Sequence, residues 1–453
     1  MDINDIKRIY FIGIGGIGMS ALARYFNSKG VAVSGYDKTE TPLTEQLSKE
    51  GIKVHYEDKI ELIDKETQIV VYTPAIPANH KELNYYRQNN YSVVKRSDVL
   101  GAITKSSFNI CVAGTHGKTT TSTMIAHILQ HSGYGCNAFL GGIAVNYDSN
   151  FWSSEKNICV VEADEYDRSF LKLSPDVAVI TAMDADHLDI YGTGEAVEQA
   201  FIDFSGKLKA GGLLLTKLGL HREKELKADR HIRYSLQNEA ADVHAMGISM
   251  DYGSYEFDVL MKDWMIEKVR LNMGGMHNVE NAVVAIAIAH SLGIGNEKIK
   301  KAVDDFKGVK RRFEYIIKNE KQIFIDDYAH HPEELRALIS GAKSLFPELK
   351  CTVIFQPHLF TRTRDFADGF AESLDMADDV VLLPIYPARE LPIEGVTSKL
   401  IFDKMKNNNK HLMSKDELLD KMNEKNKGLF ISAGAGDIDA MVLPIRNILQ
   451  KTN

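Results

Sequence analysis

Cysteine is scarce. The 453-residue chain has four, Cys111, Cys136, Cys159 and Cys351, and none sits in a C-x-x-C pair. That excludes a disulfide framework and predicts reduced, structural thiols in a reducing compartment, the cytoplasm. Long apolar runs are also missing. No stretch reaches the roughly 18 residues that a membrane helix needs, so no membrane association is expected. The N-terminal MDINDIKRIYFIGIGG carries charges ahead of a short apolar run ending in glycines, which reads as a first strand and not as a signal peptide. Basic charge is not in excess: 54 Lys and Arg stand against 62 Asp and Glu, a net charge of -8. Nothing therefore argues for a nucleic-acid partner. An anionic substrate must be met by local cations such as Lys118 or Arg362. Short-period repeats and low-complexity segments are absent as well.

What is present is the composition of a soluble globular protein, 44% hydrophobic and 26% charged, long enough for two to four domains. Three blocks emerge, each opening with a strand and a glycine or acidic turn. Residues 1–105 alternate short apolar strands (RIYFIG, VAVSGYD, GIKVHY, QIVVYTP) with helical text, which predicts a parallel sheet. Ser106 and Ser107 read as a linker. Residues 106–312 hold two acid-tipped strands and the helix NVENAVVAIAIAHSLG, with an antiparallel excursion expected over 213–273. Residues 313–453 return to strand–helix alternation. The expected fold class is α/β in three domains. A Rossmann-like domain at each end, with a P-loop ATPase-like parallel sheet between them, is the arrangement that the resemblance given below implies.

The most informative stretch is NICVAGTHGKTTTSTMIAHILQH, residues 109–131. An apolar strand runs into Gly114-Thr115-His116-Gly117-Lys118-Thr119-Thr120 and then into a helix, the order of a phosphate cradle. Backbone N–H groups at the helix N-terminus meet an anion, Lys118 adds positive charge and Thr119 offers a hydroxyl to Mg²⁺. The full Walker A pattern is not met, because Val112 stands where it needs a glycine. An ordinary strand–turn–helix with a surface lysine is the bland alternative.

A second glycine loop, Gly13-Ile14-Gly15-Gly16-Ile17-Gly18, follows the first strand directly and precedes a helix that begins with Met19; Asp37 ends the next strand. Alone it suggests a nicotinamide-dependent dehydrogenase. A loop that reads phosphates through backbone amides also suits the diphosphate of a UDP-sugar. The second phosphate site and the acids below are parts that hydride transfer does not need.

Glu162 ends the strand ICVVE, where a Mg²⁺–ATP site needs a carboxylate. Asp164 and Glu165 make the turn very acidic. His187 lies in Asp184-Ala185-Asp186-His187-Leu188-Asp189 just after another strand. With Thr119 and Glu162 on the same sheet edge it reads as a metal ligand, and a histidine ligand admits Mn²⁺ beside Mg²⁺. His277 and Asn281 are four apart on one helix face, where an amide can read an adenine edge. Arg312, beside Arg311 at a domain joint, suits phosphate neutralisation. DDYAHHP, with Asp327 and His330, and QPHLFTRTR, with Arg362, sit at strand ends where α/β sheets place ligands, and Arg362 can clamp a carboxylate.

GIGGIGM, GTHGKTT, EADE, DADHLD, GGMHNVEN, DDYAHHP and QPHLFTRTR, in this order, resemble the Mur ligase family from Gly13 to Arg364. The resemblance implies a UDP-sugar on the first domain (Gly13, Gly15, Gly16, Ile17, Gly18, Met19, Asp37) and ATP on the central one. For ATP it implies Gly114 to Thr120 with His277, Asn281, Arg312 and Asp327. It implies catalytic roles for Lys118, Glu162, His187, His330 and Arg362, with Mg²⁺ on Thr119, Glu162 and His187. The implied activity is ATP-dependent ligation of L-alanine to the lactyl carboxylate of UDP-N-acetylmuramate through an acyl phosphate, by a monomer or weak dimer. That step would serve peptidoglycan synthesis and so cell shape and division. AVEQAFIDF offers no lysine where later members of the pathway carry a carbamylated one, in keeping with the alanine-adding member. Leu359 stands where arginine is common. A sibling that recycles free tripeptide onto the same sugar is the second reading, and a nucleotide-regulated binding module is the non-enzymatic one.

Overall fold

The structure, a computed structural model, describes residues 5–451 apart from 389, 424 and 426. The outer limits of the first and third expected blocks and the side chain of Asp189 lie outside the described residues. Three sheets carry the chain. The first contains β1 (Arg8–Ile12), β2 (Ala32–Tyr36), β3 (Lys53–His55), β4 (Ile69–Tyr72) and β5 (Ser92–Lys95) in the order β3-β2-β1-β4-β5, every pair parallel. Its helices include α1 (Ile17–Ser28), α2 (Pro42–Lys49), α3 (Lys81–Gln88) and α4 (Arg96–Ser106). β1 is buried on both faces. Ile9 and Phe11 enter one apolar cluster, Tyr10 and Ile12 the other, which is why its sequence reads as a continuous hydrophobic run. The strand order reverses between β2 and β4, so the glycine loop after β1 opens at the switch point where such sheets bind ligands.

The central sheet has ten strands in the order β15-β14-β13-β12-β11-β10-β6-β9-β7-β8. These are β6 (Phe108–Ala113), β7 (Asn137–Ala144), β8 (Ser149–Trp152), β9 (Ile158–Glu162), β10 (Val177–Ile180), β11 (Leu213–Lys217), β12 (Arg230–Ser235), β13 (Val243–Asp251), β14 (Ser254–Met261) and β15 (Trp264–Leu271). Its helices include α5 (Lys118–His131), α6 (Leu188–Tyr191), α7 (Gly194–Ser205) and α8 (Met276–Ser291). The excursion expected to be antiparallel from residue 213 starts otherwise. β11, β12 and β13 extend the sheet in parallel, and only the β13–β14–β15 meander turns back through short hairpins. The apolar LLLTK of β11 has both faces covered, as a parallel strand requires.

The third sheet runs β16-β17-β21-β18-β19-β20, with β16 (Glu314–Lys318), β17 (Gln322–Asp327), β18 (Cys351–Phe355), β19 (Asp379–Leu382), β20 (Lys410–Leu412) and β21 (Gly428–Ala433). Its pairs are parallel except β16, an antiparallel edge strand.

The chain divides into two compact units, 1–246 with 259–267 and 280–303, and 247–258 with 268–279 and 304–453. In the first, one hydrophobic cluster joins α1 to the central sheet: Phe26, Phe139, Phe151 and Val161 are all members. A polar strap reinforces it. Arg24, 5% exposed, donates to both carboxylate oxygens of Glu50 and to Asn150 Oδ1, and Asn150 Nδ2 donates to Ile17 O and Ser20 Oγ. Ser106 and Ser107, read as a linker, are part of this packing. Ser107 is buried and donates to Ile103 O and Asn109 Oδ1. In the second unit the strands of the third sheet bury Phe324, Ile354, Val381 and Phe430 against the C-terminal helix Val442–Lys451.

Candidate active site

The loop expected to cradle phosphate folds as its residues require. Gly114 adopts φ +134, and a side chain there would overlap Thr181 Oγ1 at the end of β10. Only glycine fits both the angle and the approach. Thr181 Oγ1 in turn donates to Ala113 O and His116 O, holding the loop to β10. Gly117, with φ +79, is the N-cap of α5, so Lys118, Thr119 and Thr120 occupy its first turn, where N–H groups are unpaired by the helix. Thr115 Oγ1 accepts from Asp184 N at 3.2 Å, and exposed His116 lies 3.5 Å from Asp184. Asn281, on α8, reaches the same loop: its Oδ1 accepts from Thr121 at 3.1 Å.

Lys118 does not point into solvent. Its Nζ donates to Gly114 O at 2.7 Å and to Glu165 Oε1 at 2.8 Å. Glu165 is 1% exposed, and its other oxygen, Oε2, is buried with no hydrogen-bond partner. Burial pushes the Glu165 carboxyl up, and Lys118 draws it part of the way back. Thr119 Oγ1 donates to Glu162 Oε1 at 2.9 Å, while Glu162 Oε2 accepts from Gly141 N at 2.8 Å. His187 sits 3.9 Å from Glu165 and 3.8 Å from Asp186, with ligand atoms of the three within 4.8 Å of one another. Its φ of +51 is rare for a residue with a Cβ. The structure thus pairs Thr119 with Glu162, and groups His187 with Glu165 and Asp186. A cluster of hard oxygen donors with one imidazole, one buried carboxylate oxygen among them unpartnered, fits a divalent cation.

The glycine loop after β1 faces the same region. Asp37 Oδ2 accepts from Gly15 N at 2.7 Å and Oδ1 from Thr39 N, so this carboxylate braces the loop. Gly16 N donates to Gly13 O and caps α1; Ile17 is exposed and Met19 buried. A cavity of about 280 Å³ is lined by Gly16 to Met19 and Arg96 together with Gly141, Glu162 and Asp164.

The remaining expected residues belong to the second unit. Asp327 accepts from Phe313 N and Ala329 N, both at 2.7 Å, and burial pushes its carboxyl up to about 6. Both its oxygens are therefore used to shape the joint. Arg312 and His277 are exposed. Neighbouring Arg311 is the held one, donating to Gly434 O and lying over the Tyr328 ring. His330 Nδ1 is 2.9 Å from Tyr328 O, and its ring is 6.2 Å from His358. His358 Nδ1 is 3.3 Å from Arg362, which has no carboxylate partner among the described residues. Burial, then Arg362 and His330, hold the His358 imidazole below its ordinary value. Leu359 takes φ +69, turning the chain into the short helix Phe360–Asp365 that presents Arg362.

Glu165, Asp186, Arg96 and His358 were not singled out from sequence. The last acid of EADE was a visible signal for Glu165, since a carboxylate just past a buried strand tip and beside a lysine loop needs a cation.

Comparison with known proteins places this geometry. Family models match three consecutive segments: residues 8–108, Mur ligase family, catalytic domain; 112–289, Mur ligase middle domain; and 311–436, Mur ligase, glutamate ligase domain. The UDP-N-acetylmuramate–L-alanine ligase of Flavobacterium johnsoniae is 48% identical over 455 residues, covering 100% of both chains. That of Porphyromonas gingivalis is 49% identical, covering 98% of this chain and 99% of its own. The crystal structure of UDP-N-acetylmuramate-alanine ligase from Thermotoga maritima superposes with a TM-score of 0.83 at 29% identity, covering 98% of this chain and all of its own. A murein peptide ligase from Psychrobacter arcticus shares the fold, with a TM-score of 0.66 at 23% identity over 98% of each chain. The chain belongs to the Mur ligase family.

Proposed function

We propose that this protein joins L-alanine to the lactyl carboxylate of UDP-N-acetylmuramate at the expense of ATP, the alanine-adding step of peptidoglycan precursor synthesis in the cytoplasm. The observation that carries the reading is the pair of glycine loops in one compact unit, the second furnished with two neighbouring pairs, Lys118 on Glu165 and Thr119 on Glu162. The full-length relatives support the choice of alanine over free tripeptide as the amine. In this reading residues 1–105 hold the sugar nucleotide, 106–312 hold ATP, and 313–453 serve the amino acid.

A carboxylate is a poor electrophile. Its oxygen attacks the γ-phosphorus of ATP, ADP departs, and the acyl phosphate presents an activated carbon to the free amine of L-alanine. Nitrogen adds, the tetrahedral intermediate collapses, and inorganic phosphate leaves with the original carboxylate oxygen. Lys118 spreads charge on the transferring phosphoryl group once it exchanges Glu165 for phosphate oxygen. The N–H groups of α5 cradle the nucleotide, Asn281 steadies the loop beneath it, and Gly13 to Met19 receive the sugar nucleotide. Thr119, Glu162 and His187 would hold Mg²⁺ or Mn²⁺, with Glu165 and Asp186 beside them; the ion supplies charge neutralisation of the phosphates. His330 and Arg362 are assigned to carboxylate contacts, and His277, Arg312 and Asp327 to the nucleotide side. Positioning alone supplies on the order of 7–11 kcal/mol of the barrier in reactions of this kind.

The test is phosphate release from ATP with amino acids screened against UDP-N-acetylmuramate. Release that requires both L-alanine and the sugar nucleotide is expected. Release with L-alanyl-γ-D-glutamyl-diaminopimelate in place of L-alanine would assign the recycling reaction instead.

A further inference from the structure

The cavity beside the first glycine loop, with Glu162 and Asp164 in its lining, has one cationic side chain among the described residues that line it, Arg96. β5 ends at Lys95 and Arg96 opens α4, so its side chain starts from the C-terminal edge of the first sheet. It then crosses to α1. A Cβ built on Gly18 would lie 2.7 Å from a guanidinium nitrogen of Arg96 and 3.2 Å from its central carbon. Gly18 is thus the residue that lets the guanidinium settle on the first turn of α1. Third glycines of such loops usually serve helix–strand packing; here the close neighbour is a positive charge.

That charge is uncompensated. Arg96 has neither a carboxylate nor a hydrogen-bond partner among the described residues, although it is half-buried. Most other arginines of the first sheet are paired: Arg8 with Asp64 and Glu66, Arg24 with Glu50. The loop itself has no charged side chain from Gly13 to Met19, and the carboxylate nearest it, Asp37, is already spent on Gly15 N–H. Backbone amides alone would meet a doubly charged diphosphate in the field of that carboxylate. A guanidinium fork beside the unpaired N–H groups of α1 supplies the missing counter-charge and two parallel donors.

We propose that Arg96 clamps the diphosphate of the sugar nucleotide in the cavity that Glu162 and Asp164 also line. The proposal rests on the sugar-nucleotide reading of the first cradle. It assigns Arg96 a binding role that also sets register: an anion anchored at Arg96 directs the rest of the substrate toward the acidic wall, where the phosphoryl transfer is proposed.

The experiment is calorimetric titration of UDP, and separately of ATP with Mg²⁺, into the wild-type protein, Arg96→Ala and Arg96→Lys, at two salt concentrations. UDP affinity should fall roughly tenfold to a hundredfold in Arg96→Ala, the range of a charge-assisted hydrogen bond pair. Arg96→Lys should recover part of it. ATP affinity should be unchanged in both, and the salt dependence of UDP binding should be shallower in Arg96→Ala. UDP affinity within twofold of wild type in a folded Arg96→Ala overturns the proposal. Should that variant not fold, Arg96→Lys decides: affinity equal to wild type with an unchanged chemical shift of the Arg96 side chain in the wild-type protein on adding UDP overturns it as well. A wild-type protein that binds no UDP at all overturns the sugar-nucleotide reading itself, a different result from wild-type binding that is indifferent to residue 96.

Discussion

The two glycine loops of the first unit solve the same problem with opposite means. The loop at Gly13–Gly18 contains no charge, and a single carboxylate, Asp37, ties it from the neighbouring strand. The loop at Gly114–Thr120 contains a lysine whose partner, Glu165, is buried to 1% exposure. One is tied through a carboxylate to backbone N–H, while in the other the lysine is held by an ion pair that, in the proposed reaction, opens before a phosphate takes the lysine. The difference teaches that a loop built only to bind can be neutral and rigid. A loop that, in the proposed reaction, stabilises a changing charge keeps its cation on a neighbouring acid.

The largest expected effect breaks the second loop. Lys118→Ala should lower turnover by at least about 10³-fold, judged from the loss of comparable charge-stabilising groups, while calorimetry finds UDP-N-acetylmuramate affinity nearly unchanged. Equal losses in both would erase the division between the loops. Next, Gly114→Ala forces a Cβ into Thr181 at φ +134; denaturation should report a loss of about 3 kcal/mol or more, and ATP binding should fail with it. The ion pair is sharpened by a double-mutant cycle. Glu165→Gln and Lys118→Met, singly and together, should show coupling of about 1–3 kcal/mol in chemical denaturation. In the first loop Asp37→Asn should cost only about 1 kcal/mol, since the amide oxygen still accepts from Gly15 N–H.

The effect that depends on pH lies beneath the first loop, on the other face of its sheet. Glu82 is fully buried and accepts from Tyr10 Oη at 2.7 Å and Lys59 N at 3.2 Å, with His55 3.6 Å away and Asp58 and Tyr86 nearby. Burial pushes its carboxyl from 4.5 up to about 7. Below pH 4.5 the group is neutral in both folded and unfolded chains. As pH rises from there to about 7 the unfolded chain ionises and the buried group does not, so stability falls, then levels off. Glu82→Gln should remove that fall, with a difference in unfolding free energy against wild type that grows between pH 5 and 7 to at most about 3 kcal/mol.

Both loops were legible in sequence because their chemistry is local. Gly13, Gly114 and Gly117 stand where backbone geometry demands glycine, and the flanking strand and helix are readable from apolar period. Their partners were not. Glu165 reaches Lys118 only because β9 and β10 flank β6 in the sheet, and Arg96 reaches Gly18 only because β5 and β1 end on the same edge; strand order decides both. The parallel start of the 213–273 segment was misread for a related reason. YSLQ and VHAMG alternate like hairpin strands, and their pairing direction depends on the connection at 236–242, which has no strong signal. Ser106 and Ser107 looked like a solvated linker on composition, yet buried acceptors at Ile103 and Asn109 use the Ser107 hydroxyl.

The tie of Arg24 and Asn150 between α1 and β8 has a consequence for selectivity. Because it bolts one wall of the shared cavity to the other, the gap from the first glycine loop to Glu162 works as a fixed gauge. In the proposed reaction, that gauge favours substrates whose anionic head and reactive carboxylate match its length.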